Sequence, residues 1–146
     1  MIYSQNHIRK KYSNVNKCSL GAYEVFRTNK KIHLTIIASG SEVNLAIETS
    51  HKLAKEKVYS KVISMPCQDL FDSQSRTYKQ KILNETKMKI SIEAASTDSW
   101  KKYVGNEGLT FGIDTFGKSA PYKEIYKYFG LTAANIANKS KKLINR

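Results

Sequence analysis

Residues 34–53 read LTIIASGSEVNLAIETSHKL. The run 34–38 is short and almost wholly apolar, which is typical of a strand covered on both faces in a parallel sheet. Ser39 and Glu42 follow at the spacing of a capping box, in which each side chain satisfies a free backbone N–H at a helix start. An apolar stripe at helical spacing comes next, formed by Val43, Ala46, Ile47, Ser50, Leu53 and Ala54. The stretch therefore predicts a βα unit.

The rest of the chain repeats this alternation. Residues 21–26 alternate between apolar and other side chains and predict an edge strand. Because only a short turn leads from it to residue 34, we expect these two strands to be antiparallel neighbours. Further strands are predicted at 59–65, 87–93 and 109–113, and helical segments at 67–84, 97–104, 122–129 and 132–143.

Several side chains mark where the predicted helices begin and end. Thr97 or Asp98 is a candidate N-cap before Trp100, and Gly105 ends that helix. Ser119 is a candidate N-cap for the next helix, with Pro121 in its first turn. That helix turns Tyr122, Ile125, Tyr126 and Phe129 inward and ends at Gly130, and Thr132 caps the last helix, which turns in Ile136, Ser140, Leu143 and Ile144.

The order β, βα, βα, βα, βα, α predicts an α/β fold. Alternation of this kind produces right-handed crossovers and a three-layer α/β/α sandwich. We expect a five-stranded mixed sheet with four parallel strands and one antiparallel edge strand. The length of 146 residues suits one domain. Residues 1–19 are polar and lack periodicity, so we expect an N-terminal arm or linker followed by a domain at 20–146.

Cysteine usage and hydropathy indicate a cytoplasmic protein. Cys18 and Cys67 lie far apart without CxxC spacing, which fits a reducing compartment. The N-terminus has no apolar segment typical of a signal peptide, and no run approaches the ~18 apolar residues of a membrane span. We expect a soluble protein with no membrane partner.

The formal net charge of +13 has two interpretations. A basic surface can bind nucleic acid or another acidic partner. The excess is nearly all lysine, however, and it is spread along the chain instead of forming one run. Proteins that bind nucleic acid sequence-specifically tend to use bidentate arginine contacts and clustered positive charge. A solvated surface is therefore favoured, and a basic binding module is kept as the alternative.

Ligands of open α/β sheets bind at the loops that leave the carboxyl ends of the strands, here 39–42, 65–69, 94–99 and 114–119. The turn at 39–41 could offer N–H groups to a phosphate, but without a GxGxxG or P-loop pattern a capped turn is favoured. Glu93 and Asp114 stand at strand ends and could form an acid pair. No sequence feature brings them together.

The remaining reactive side chains carry no recognisable pattern. His7, His33 and His51 have no partner at metal or triad spacing and are interpreted as surface or partly buried residues. Cys67 follows Pro66 near a predicted helix start, where a small buried residue is favoured over a reactive thiol. We therefore assign no catalytic, cofactor-binding or metal-binding residue.

Six blocks, in order, resemble the C-terminal domain of transketolase. They are Gly21-Ala22-Tyr23; 37–43, which reads IASGSEV; 62–66, which reads VISMP, with Phe71-Asp72; Glu93-Ala94; 100–105, which reads WKKYVG; and 116–121, which reads FGKSAP. The resemblance covers nearly everything from residue 20 onward.

This resemblance implies a transferase that moves ketol groups between sugar phosphates in the pentose phosphate pathway. It implies thiamine diphosphate and a divalent metal, Mg or Ca, in a cytoplasmic homodimer. In that family the cofactor lies between two preceding domains, and the third domain serves dimer architecture or regulation. We therefore expect the chain alone to bind no cofactor and to be inactive without those domains.

Two further points follow from the resemblance. Just before this domain the family often reads Ser-Arg-Gln-Asn, whose arginine helps to hold the substrate phosphate, whereas residues 3–6 read YSQN and place Ser4 at the arginine position. The equivalent domain of another thiamine enzyme, such as the β chain of a 2-oxoacid dehydrogenase, is an alternative. The Phe-Gly-x-Ser-Ala-Pro block favours transketolase.

Overall fold

A computed structural model describes residues 17–115 and 121–145. Within them a 3-10 turn at Cys18–Leu20 leads into one five-stranded sheet with the strand order β1-β3-β2-β4-β5. The strands are β1 Tyr23–Arg27, β2 Leu34–Ala38, β3 Ser60–Ser64, β4 Lys89–Ile92 and β5 Leu109–Phe111. The helices are α1 Glu42–Lys55, α2 Gln68–Asp72, α3 Arg76–Leu83, α4 Lys101–Val104, α5 Tyr122–Tyr128 and α6 Ala133–Ile144, with a 3-10 turn at Asp98–Trp100 before α4.

The predicted fold class is confirmed. Strands β3, β2, β4 and β5 are parallel, and β1 is antiparallel at one edge. Strand β2 lies at the centre and is buried along its whole length, as its apolar run predicts. Strands β3, β4 and β5 are shorter than predicted and end at Ser64, Ile92 and Phe111.

The predicted neighbour of β1 is wrong. Strand β1 pairs with β3, with Tyr23 opposite Ser64 and Arg27 opposite Lys61. Strand β3 therefore lies between β1 and β2. The connection at 28–33 can reach ~20 Å when extended, which is enough to pass one strand spaced at ~5 Å. Its course is fixed by two backbone hydrogen bonds to the start of β3 and the residue before it, from Thr28 N–H to Ser60 O (3.0 Å) and from His33 N–H to Tyr59 O (2.8 Å).

Each face of the sheet has its own apolar core, which makes three layers. On one face α1 and α6 bury Val43, Leu53 and Ile136 against Ile36 and Ile90 of the sheet. On the other face Phe71, Ile82, Leu83, Trp100, Tyr103 and Val104 cover Ile37 and Ile63. Alternate residues of β2 thus enter opposite cores, which is why its sequence shows no polar face.

The predicted helix ends are confirmed in part. Thr132 caps α6 by accepting a hydrogen bond from Asn135 N–H (3.3 Å). Gly105 and Gly130 follow their helices with φ of 74° and 71°, the left-handed region that favours glycine. Pro121 occupies the N-cap position of α5 instead of its first turn, and Ser119 lies outside the described residues.

The inward face predicted for the α5 segment is wrong for Tyr122, which is 67% exposed. No residue of α5 is buried, and Tyr126 is half-buried. The helix has seven residues and contacts the start of α1 through the hydrogen bond from Tyr126 to Glu42.

Residues 1–16 of the expected arm lie outside the described part of the chain, so the boundary at residue 19 stays a prediction. Among the described helices, none combines the length and apolarity required to cross a membrane.

Candidate functional site at the carboxyl edge of the sheet

The loops after β2, β3 and β4 meet at the carboxyl edge of the sheet, as the fold predicts. They enclose an open cavity of about 360 Å³. Its lining combines hydroxyl, amide and carboxyl groups with a Met-Pro-Trp wall and consists of Ser39, Met65, Pro66, Gln68, Glu93, Ala95, Ser96, Ser99 and Trp100. Among these residues no side chain carries a positive charge.

The capping box predicted for Ser39 and Glu42 is wrong. Ser41 occupies the N-cap position of α1, and no side chain caps that helix. The Ser39 hydroxyl donates to the Glu93 carboxylate, which links the residues that follow the neighbouring strands β2 and β4. Glu42 accepts from the hydroxyls of Ser41 (2.8 Å) and Tyr126. Both side chains of the expected box therefore make tertiary contacts, and neither bonds to a backbone N–H at the start of α1.

Glu42 and Glu93 form a close pair of acids at this edge. Glu42 is 4% exposed, and no local sequence pattern indicates that this carboxylate is buried. Burial raises the pKa of Glu93, and the nearby Glu42 charge raises it further against the lowering effect of the Ser39 hydrogen bond. Burial and the bond to Glu42 also raise the pKa of Tyr126.

The sequence suggested that Glu93 and Asp114 could form an acid pair, but in the structure each binds different partners. Asp114 accepts from Thr97 N–H (2.7 Å) and from the Thr97 hydroxyl (2.9 Å). The hydrogen bond from Thr97 N–H lowers the pKa of Asp114 most, and the bond from the Thr97 hydroxyl lowers it further. The acid next to Glu93 is Glu42 instead. Thr97 precedes the turn before α4 as predicted, but its hydroxyl does not cap that turn.

The described histidines and cysteines make structural contacts. His33 Nδ1 accepts from Tyr59 N–H (3.0 Å), and the two rings stack with centroids 5.7 Å apart. His51 packs its ring against Phe26 at 4.8 Å. Both histidines are exposed, as expected for surface residues.

Cys67 stands at the N-cap position of α2 and is half-buried, and Cys18 Sγ lies 3.7 Å from the Tyr23 hydroxyl. His7 and Ser4 lie outside the described residues.

The cavity does not fit thiamine diphosphate. A diphosphate requires cationic or N–H donors, whereas the charged group of this lining is the Glu93 carboxyl. A divalent metal requires several clustered ligands, and in the part of the chain that the structure describes no three His, Cys, Asp or Glu side chains form such a group.

Comparisons with known proteins identify the domain. The family model described as "Transketolase-like TK C-terminal domain" matches residues 21–132. The chain is 44% identical to Bacillus subtilis transketolase over 128 residues, covering 86% of this chain and 19% of that protein. It is 40% identical to a Buchnera aphidicola transketolase over 123 residues, covering 84% of this chain and 18% of that protein.

Solved structures agree with the sequence relatives. Transketolase from Leishmania mexicana superposes with a TM-score of 0.80 at 38% identity, over 88% of this chain and 18% of that one. The chain thus spans about a fifth of the length of the transketolases it matches. The relatives favour transketolase over a 2-oxoacid dehydrogenase β chain. This chain belongs to the transketolase C-terminal domain family.

Proposed function

We propose that this chain is the C-terminal, architectural domain of a cytoplasmic transketolase. In this proposal the complete enzyme is a homodimer that transfers ketol groups between sugar phosphates with thiamine diphosphate and a divalent metal. The proposal rests on the family match at residues 21–132 and on coverage of about a fifth of the relatives. The cofactor would be held by the domains that precede this one in the relatives.

The observation that carries an architectural role is how the acids of the carboxyl edge are used. Glu93 holds Ser39, and Asp114 holds both the backbone and the hydroxyl of Thr97. Glu42 ties α5 to the start of α1 through Tyr126. Carboxylates bound in this way fix the loops of the edge relative to one another. They support a rigid surface better than they support acid–base chemistry on a substrate.

A domain exchange tests this proposal. Residues 20–146 would replace the corresponding domain of Bacillus subtilis transketolase, with deletion of that domain as the control. The expected result is a dimeric chimera that retains ketol transfer, whereas the deletion loses the dimer or the activity. Dimer mass is measured by light scattering, and activity by release of the aldose product. A folded chimera that behaves like the deletion would overturn the proposal.

A further inference from the structure

The two edges of the sheet carry different sets of charged side chains. Acids occupy the carboxyl edge, where Glu42, Glu93 and Asp114 make the contacts described above. The opposite, amino edge carries lysines from the starts of strands and the ends of helices. We name six of them the amino-edge lysine surface, and all six are exposed: Lys30, Lys31, Lys55, Lys57, Lys87 and Lys142.

Contacts of neighbouring residues bring these distant segments together. Arg27 donates to Lys30 O (3.0 Å), which fixes the turn that holds Lys30 and Lys31. Thr35 N–H donates to Met88 O (3.0 Å), next to Lys87. Lys141 pairs with Glu56, which joins the end of α6 to the end of α1. The sequence spreads these lysines over more than a hundred residues, and the fold collects them.

Three acids at this edge are engaged by other cations, and a fourth, Glu107 in the loop before β5, is exposed and forms no ion pair among the described residues. Arg27 pairs with both Glu24 and Glu85, at 2.8 Å each. The ammonium of Lys61, which is 1% exposed, also binds Glu85 at 2.9 Å.

Glu56 is paired with Lys141. Within residues 17–115 and 121–145, none of the six surface lysines forms an ion pair. Helix dipoles account for cations such as Lys55 and Lys142 in the last turns of α1 and α6. They do not account for Lys30, Lys31 and Lys87, which lie in loops.

An aromatic pair, exposed His33 and half-buried Tyr59, lies within the same surface. His33 stacks on Tyr59 with an angle of 21° between the rings. The pair follows Lys30 and Lys31 on one chain segment and Lys57 on the other. A ring beside unpaired cations is the combination that binds bases and phosphates of a single strand.

The composition of the surface disfavours a protein partner. Interface cores are enriched in aromatic residues and depleted in lysine. The large apolar side chains that the structure leaves exposed, Leu70, Tyr122 and Tyr128, belong to α2 and α5. Those helices lie toward the carboxyl edge, since α2 follows the end of β3 and α5 contacts the start of α1.

We propose that the amino-edge lysine surface binds single-stranded nucleic acid without sequence preference. The lysines contact phosphates and release counterions, and a base stacks on the exposed His33 ring. The five strands span roughly 20 Å, enough for about four phosphates. With a slope of about −0.7 per phosphate contacted on a single strand, log Kd against log salt should have a slope magnitude near 3.

Two variants with equal loss of charge test the proposal. The first replaces Lys30, Lys31, Lys57 and Lys87 with glutamine. The matched control replaces four exposed lysines outside this surface with glutamine, Lys17, Lys123, Lys127 and Lys139, none of which forms an ion pair among the described residues. Binding of a fluorescein-labelled 20-nucleotide oligo(dT) is measured by anisotropy from 25 to 300 mM NaCl. Circular dichroism melts confirm that each variant is folded.

We expect the wild-type chain to bind the oligonucleotide at 25 mM salt. The first variant should raise the Kd at least tenfold, and the control variant at most threefold. His33→Ala should weaken binding about tenfold if one base stacks there. Equal losses in the two lysine variants, or no binding at 25 mM salt, would overturn the proposal. Equal affinity for duplex DNA, or binding to vesicles containing phosphatidylserine but not to the oligonucleotide, would overturn the assignment to single strands.

Discussion

Replacing Gly21 with alanine tests how the start of β1 packs on α2. Gly21 has φ of +76°, and a Cβ there would lie 2.1 Å from Phe71 N, 2.6 Å from Cys67 O and 2.7 Å from the Leu70 carbonyl carbon. These atoms are backbone, so a side-chain rotation cannot relieve the clash. Either residues 18–21 or helix α2 must move, although Cys67 N–H donates to Gly21 O (3.2 Å) in the native fold.

The size of the effect follows from two costs. A residue held in an unfavourable backbone region costs about 1–3 kcal/mol. Overpacking adds about 1–3 kcal/mol or more. Gly105→Ala is the matched control, because Gly105 has φ of +74° and no atom within 4 Å of its Cβ position. We expect Gly21→Ala to lose about 2–6 kcal/mol and Gly105→Ala about 1–3 kcal/mol.

Urea unfolding followed by tryptophan fluorescence measures both variants. Trp100 is the single tryptophan and is 3% exposed in the same core as Phe71. At roughly 2–4 °C per kcal/mol, Gly21→Ala should also melt several degrees below Gly105→Ala. Equal destabilisation of the two variants would refute the packing of α2 on Gly21.

Three further substitutions test the contacts made by Glu85, Glu93 and Glu42. Glu85→Gln should cost about 1–2 kcal/mol at pH 7, because it removes the partner of buried Lys61 while Glu85 itself is about one third exposed. The hydrogen bonds from Arg27, and then that from Lys61, lower the pKa of Glu85 to about 2, so its stabilisation is present above pH 4.5 and is lost as the pH falls toward 2. Urea titrations in which wild type and variant lose stability in parallel over that range would contradict this. Glu93→Gln should show the opposite pH dependence of the unfolding free energy. Because the pKa of Glu93 is raised, wild type loses stability as the pH rises above about 4.5. The variant should therefore become more stable relative to wild type between about pH 4 and 8. Tyr126→Phe removes the donor to Glu42 and should cost about 1–2 kcal/mol in the same assay, whereas Tyr122→Phe, at a 67% exposed side chain, should cost almost nothing.

The sequence predicts those features that depend on local pattern. The apolar run at 34–38 is strand β2 with the expected bounds, and Thr132 caps α6. Strand directions were also predicted correctly, since the chain between parallel strands is long enough for a crossover. The neighbour of β1 could not be predicted in this way, because a six-residue connection reaches past one strand as readily as it forms a hairpin.

The errors at the candidate site have a common physical cause. Ser39 and Glu42 have the spacing of a capping box, but each finds a stronger tertiary partner, Glu93 for the hydroxyl and Tyr126 for the carboxylate. Residues more than fifty positions away in sequence decide the outcome. The same holds for Lys61, which looks like a surface residue in the sequence and is buried beside Glu85.

The arrangement of the lysines in the fold differs from their arrangement along the sequence. Along the sequence the lysines are dispersed, which favoured a solvated surface. In the fold, helix ends and strand starts meet at one edge and bring Lys31, Lys57 and Lys87 onto one surface. The amino-edge lysine surface therefore arises from the topology of the sheet and has no counterpart in the linear sequence.

The most direct test of the central claim is a calorimetric titration of thiamine diphosphate with Mg²⁺ into the purified chain. An architectural domain whose cofactor site lies in the preceding domains predicts only heat of dilution. The full-length Bacillus subtilis relative, titrated in the same buffer, is the positive control. A saturable isotherm with one cofactor per chain would contradict the account.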